Sequence, residues 1–114
     1  MSSLSQISIE ELRRRLREGL SSEAMCVIFS SNYTSLDEVR NVLRESGLYN
    51  AFGIRILRSE NIPGNNYLII VYFKEEVCDK KCLAECGSKE SICFGKCIYK
   101  CIEDYRKIAS EKLG

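Results

Sequence analysis

The chain contains no histidine. Imidazole general bases, Ser–His–Asp arrangements and histidine metal ligands are therefore excluded. There is one proline, Pro63, so the helical patterns on either side of it run without a breaker. Glycine forms no phosphate-cradling cluster: Gly47 and Gly53 belong to no known fingerprint. No apolar run reaches the roughly 18 residues that mark a membrane-spanning helix. Neither sign of charge is in excess, with 17 basic and 16 acidic residues and a net charge of +1. Composition alone thus argues against bulk polyanion binding. Residues Met1 to Gln6 lack the basic region and apolar run of a secretory signal, which leads us to expect an intracellular chain.

What the sequence does have is cysteine. Six of its seven cysteines form a mirrored array, Cys78, Cys82 and Cys86 followed by Cys93, Cys97 and Cys101. Residues four apart lie nearly above one another on a helix. The spacing predicts one helix from Val77 to Cys86, capped by Gly87, and a second from Ser91 to Leu113. Ser91 or Ser88 would cap the start of the second helix. The short connection between them forces the helices antiparallel. The thiol stripes then meet in nested order, as Cys86–Cys93, Cys82–Cys97 and Cys78–Cys101. Bridges within one helix are disfavoured, because i and i+4 Cβ atoms lie ~5–6 Å apart and a disulfide needs about 3.5–4.5 Å.

Structural disulfides are the reading we favour for this array. The alternative is a thiophilic metal site, Cu(I) or Zn²⁺, formed by Cys78, Cys82, Cys86, Cys93, Cys97 and Cys101. The close Cys-x2-Cys pairs of most zinc and iron–sulfur loops are missing. Thiol–disulfide catalysis ranks third, since a redox motif places Cys-x-x-Cys at a helix start. On the second helix Phe94, Ile98 and Ile102 form an apolar stripe beside the thiols, continuing to Tyr105, Ile108 and Ala109. That stripe is expected to pack on a sheet.

At 114 residues the chain is one domain. Residues 1–74 read as an α/β region and residues 75–114 as the cysteine-rich hairpin. Ser8-Ile9-Glu10-Glu11 and Ser35-Leu36-Asp37-Glu38 are capping boxes. The first opens a helix with Ile9, Leu12, Leu16 and Leu20 inward and Gly19 at its end. The second opens one with Leu36, Val39, Val42 and Leu43 inward, closed by Gly47. Ala24 to Phe29 reads as a buried strand, Phe52 to Leu57 as a strand with one wet face, and Tyr67 to Phe73 as the most apolar strand. Ile62-Pro63-Gly64-Asn65 is expected to form a type II turn.

The order α-β-α-β-β-α-α predicts an α+β fold. Its core would be a three-stranded split β-α-β sheet, a ferredoxin-like half, with an N-terminal helix and a C-terminal disulfide-linked helical hairpin. The third strand would lie in the middle. The strand from Ala24 to Phe29 would then be an apolar edge, a liability that pairing with a second copy resolves. We expect a homodimer through that edge; the alternative is that the first helix or the hairpin covers it. Cys26 is expected to be a small buried hydrophobe, or else a disulfide across the dimer axis.

The candidate binding residues are basic. Arg13, Arg14, Arg15 and Arg17 crowd the first helix, and guanidinium groups suit phosphate. Arg40, Arg44, Arg55 and Arg58 would extend the surface, with Tyr33 and Tyr49 to stack on unpaired bases. Against this, Glu10, Glu11 and Glu18 would neutralise the helix face as ordinary solvated charge, and that plainer reading is the favoured one. The polar run Ser30-Ser31-Asn32-Tyr33 follows a strand and is a weaker ligand candidate.

Disulfides are rare in mesophile cytosol, and hyperthermophilic archaea are the exception. Heavy use of Glu, Lys, Arg and Ile with a single Gln fits heat adaptation. With its cysteine array, the chain resembles small cysteine-rich proteins of hyperthermophilic crenarchaea and of their viruses, such as rudiviruses. Cys82/Cys86 and Cys93/Cys97 also resemble the twin Cys-x3-Cys hairpin of mitochondrial import chaperones. The shorter connection, the third cysteine in each stripe and the α/β region set that family aside. The expectation is a non-enzymatic binding or structural protein without a cofactor, outside the membrane, with nucleic acid as its candidate partner.

Overall fold

The computed structural model describes residues 6–58, 61 and 66–114. Its elements run α1 (Ile9–Leu20), β1 (Cys26–Ser30), α2 (Leu36–Glu45), β2 (Phe52–Leu57), β3 (Leu68–Phe73), α3 (Glu75–Cys86) and α4 (Ile92–Lys112). The sheet order is β1-β3-β2, with β3 antiparallel to both neighbours. This is the split β-α-β arrangement in an α+β fold. The turn expected over Ile62 to Asn65 lies outside the described residues.

Local chemistry explains the boundaries. The Glu11 N–H donates to Ser8 Oγ at the start of α1, and the Glu38 N–H donates to Ser35 Oγ at the start of α2. Each serine thereby satisfies an orphan donor of the first turn. Gly47 and Gly87 take left-handed φ values of 74° and 76°, one ending α2 and the other capping α3. Gly19 does not end α1, which runs on to Leu20 and is capped by Ser21. A Cβ at Gly19 would sit 2.7 Å from Val27 Cβ and 2.9 Å from the Cys26 carbonyl oxygen. The glycine instead allows α1 to lie directly against β1.

β1 begins two residues later than expected. Met25 is buried in the left-handed region at φ 48°, with its N–H donating to the Ser22 carbonyl. A left-handed residue cannot continue a strand, so pairing starts at Cys26.

The core lies between one sheet face and the helices. Leu12, Leu16 and Leu20 of α1 and Val39, Val42 and Leu43 of α2 meet Phe29, Phe52, Ile69, Val71 and Phe73. Ile9 is 51% exposed, outside the stripe in which we had placed it. It stands in the first helical turn, three residues before the first leucine that reaches the core.

Disulfides join Cys78 to Cys101, Cys82 to Cys97 and Cys86 to Cys93, with Cα atoms 5.8, 5.6 and 5.7 Å apart. The cysteines at the base, Cys78, Cys82 and Cys101, are buried. The far end stands clear, with residues 83–85, 87–90, 92, 93, 95 and 96 exposed. The stripe of α4 therefore reaches the sheet only at its lower end. Tyr105 meets Phe73 with ring centroids 5.2 Å apart, and Phe73 meets Phe52 at 5.5 Å. Phe94 and Ile98 are half-buried.

Candidate functional site

The sulfurs of the ladder are bonded to one another, so no thiolate remains there for a soft metal. The alternative site built from Cys78, Cys82, Cys86, Cys93, Cys97 and Cys101 is thereby overturned. Among the described residues, no group of three or more Cys, Asp or Glu side chains is gathered to hold a metal. Cys26 is a free thiol and only half-buried. It lies opposite Tyr72, on the sheet face turned away from the core.

The arginines of α1 are largely engaged within the protein. Arg14 donates to Glu11 and to Glu18, the latter at 2.9 Å, and Arg15 donates to Glu11 at 3.0 Å. Hydrogen bonds from Arg14 and then Arg15 hold the Glu11 carboxyl at about 2, well below its ordinary 4.5. The same pairing pushes the Arg14 guanidinium further up. Arg13 donates to the Lys112 carbonyl at the end of α4. Arg17 is half-buried. The acids that neutralise this face are Glu11 and Glu18, two of the three named from the sequence.

The Ser30–Tyr33 loop is also occupied. Ser31 Oγ accepts from the Tyr67 N–H, Ser30 Oγ accepts from the Asn32 N–H, and the Tyr33 carbonyl accepts from Ile7. These bonds fix the exit of β1 against the entry of β3.

A second basic group lies across the molecule, where α2, β2 and β3 converge. Arg40, Tyr49, Phe52, Gly53, Ile54, Tyr72 and Lys74 line a cleft of about 250 Å³. The Arg44 guanidinium lies over the Tyr49 ring, 4.7 Å from its centroid. Arg55 lies over Tyr72 at 5.6 Å, and Arg58 over Tyr67 at 5.5 Å. Arg40 makes a loose ion pair, 3.8 Å from the highly exposed Asp37. On the other side of Lys74 a larger cleft holds the carboxylates Glu23, Glu75 and Glu76. Acid thus borders the basic group beside Lys74 and, through Asp37, beside Arg40.

Of the residues expected from the sequence, Arg40, Arg44, Arg55 and Tyr49 stand in this group, whereas Arg58 lies over Tyr67 beyond the Leu57–Leu68 pair, at the other end of β3 from Tyr72. Tyr33 does not line the cleft. Tyr72 and Lys74, which line it, are not among the residues singled out from the sequence. The available signal was Gly53, an isolated glycine inside an alternating strand, which marks close approach by a neighbour.

The edge at β1 is half covered. Met25 and Ser31 hydrogen-bond across to Phe73 and Tyr67. Antiparallel alternation then turns the backbone groups of Cys26, Ile28 and Ser30 outward. Gly19 brings α1 against the Cys26 carbonyl, whereas the Ile28 side chain is 57% exposed.

No family model, curated protein or solved structure matches the chain. No helix among the described residues is long and apolar enough to cross a membrane.

Proposed function

We propose that the chain is a non-enzymatic binding protein and that its partner is nucleic acid. The reading rests on the convergence of Arg40, Arg44, Arg55 and Lys74 around Tyr49 and Tyr72. Guanidinium groups pair with phosphate through planar, charge-assisted hydrogen bonds, and tyrosine rings stack on bases. The proposal moves the interface away from α1, because Arg13, Arg14 and Arg15 already have partners in the fold. The disulfide ladder contributes rigidity, and the setting we propose for it is the interior of a hyperthermophilic archaeal cell, where the chain is the cell's own or a virus's.

Binding of labelled duplex and single-stranded oligonucleotides, followed across a salt series, tests this reading. A nucleic-acid protein loses affinity steeply as salt rises. Arg44→Ala with Arg55→Ala should weaken binding, while Arg13→Ala, Arg14→Ala and Arg15→Ala together should leave it nearly unchanged. Absence of binding at low salt overturns the reading.

We also propose a homodimer through β1. Its support is the outward backbone and exposed side chain at Ile28 on an edge strand. With α1 against Cys26 and the Ser30 carbonyl already accepting from the Tyr33 N–H, pairing would centre on Ile28. Sedimentation at micromolar concentration tests it, and a monomer there overturns it.

A further inference from the structure

The basic cleft adjoins an unusual piece of β-sheet. On the face turned away from the core, Gly53 of β2 stands opposite Tyr72 of β3. A Cβ at Gly53 would lie 2.6 Å from Tyr72 Cζ and 2.7 Å from its Oη. The phenol therefore crosses β2 in the space that any other residue's side chain fills. The ring lies along the sheet instead of standing off it, and Gly53 is buried beneath it. Arg55 occupies the next position of that face along β2, with its guanidinium over the same ring. Beside the ring, the cleft presents Arg40 and Lys74 together with Tyr49.

We infer that this surface is a binding site for a single-stranded polynucleotide, with Tyr72 as the platform for one base and Arg40 and Lys74 as ligands of the adjoining phosphates. The inference rests on the nucleic-acid reading above and specifies the form of the ligand. A ring laid flat on an open sheet offers its face to an unstacked base, which a duplex keeps inside its own stack. Arg55 is displaced from the ring by the incoming base and turns to the backbone. Its exposed side chain allows that movement. The site tolerates different bases, because stacking uses the π-face that all of them share.

Fluorescence anisotropy with labelled oligothymidylate and oligouridylate of about twelve nucleotides tests the site. The DNA and RNA arms distinguish which polynucleotide is preferred. Both should bind, and a duplex of equal length should bind more weakly. Tyr72→Leu should weaken single-strand binding roughly 5- to 150-fold, the range for loss of one stacked base, and Tyr72→Phe should retain it. Arg40→Ala and Lys74→Ala should each lower the slope of log affinity against log salt by about 0.7, the value for one phosphate on a single strand. Circular dichroism checks that each variant is folded. Should Tyr72→Leu disturb the sheet, Arg40→Ala and Lys74→Ala on the cleft rim still decide the matter through the salt slope. Failure to bind any polynucleotide overturns both this site and the broader reading. Preference for duplex, or binding that survives Tyr72→Leu and keeps its slope in both cation variants, overturns this site alone.

Discussion

Arg106 of α4 donates from Nε to the Ser21 carbonyl, 3.1 Å away, just beyond the last turn of α1. Arg13 of α1 returns the contact by donating to the Lys112 carbonyl at the end of α4. Each helix thus supplies a cation to the other's C-terminal end, where unsatisfied carbonyls concentrate partial negative charge. A half-buried charge-assisted bond of this kind contributes about 1–2 kcal/mol. Arg106→Ala should lower unfolding free energy by about that amount in urea, and Arg106→Lys should restore only part of it.

Gly19 and Gly95 should respond to alanine with opposite signs. Both lie within helices, where alanine is favoured by about 1 kcal/mol. At Gly95 nothing lies within 4 Å of an added Cβ, so Gly95→Ala should stabilise by up to about 1 kcal/mol. At Gly19 the added atom meets Val27 Cβ at 2.7 Å and a backbone oxygen at 2.9 Å. Overpacking costs about 1–3 kcal/mol and outweighs the helical gain. Gly19→Ala should therefore destabilise. Thermal unfolding of the two variants side by side measures both effects.

The Glu11 carboxyl should titrate near 2 in the folded chain, because Arg14 and Arg15 donate to its ionised form. Folding favours the ionised state here. The resulting stability is complete above the ordinary value of 4.5 and is lost as pH falls through about 2. Carboxyl carbon shifts followed by NMR should show this midpoint, and Arg14→Ala should move it up towards the ordinary value. Added salt should shift it in the same direction.

Intact mass without reductant should fall six hydrogens below that of the reduced chain, from three bridges. Native alkylation should label one thiol, Cys26, which is free and half-buried. Replacing Cys82 and Cys97 together by serine opens a loop with a sequence separation of 15. Loss of that bridge alone should cost about 3 kcal/mol in the chain-entropy model, less where the flanking bridges already restrict the same loop.

Much of the architecture was legible because it rests on local periodicity. The four-residue cysteine spacing, the capping serines and the glycines at positions 47 and 87 each act within one or two turns of chain. What was not legible depends on contacts between distant segments. Gly19 looked like a helix stop because its proximity to Val27 is a property of packing, and nothing in residues 24–26 announces that Met25 turns left-handed. The α1 arginines looked like a binding face until Lys112, 99 residues from Arg13, appeared as a partner. Tyr72 read as one apolar residue in an apolar strand, and only its register with Gly53 shows that its ring lies down. The Phe94–Ile98 stripe has helical spacing, but its reach onto the sheet depends on where α4 crosses, which spacing does not encode.

The three sulfur rungs cross from α3 to α4 at right angles to the run of both helices, so neither helix can slide along the other. The longest dimension of the molecule is 57 Å against 32 and 20 Å for the others. A push on the exposed Gly87–Glu90 tip is therefore not absorbed within the hairpin. It arrives at the foot, at the tilted ring contact of Tyr105 with Phe73, as the swing of a stiff lever.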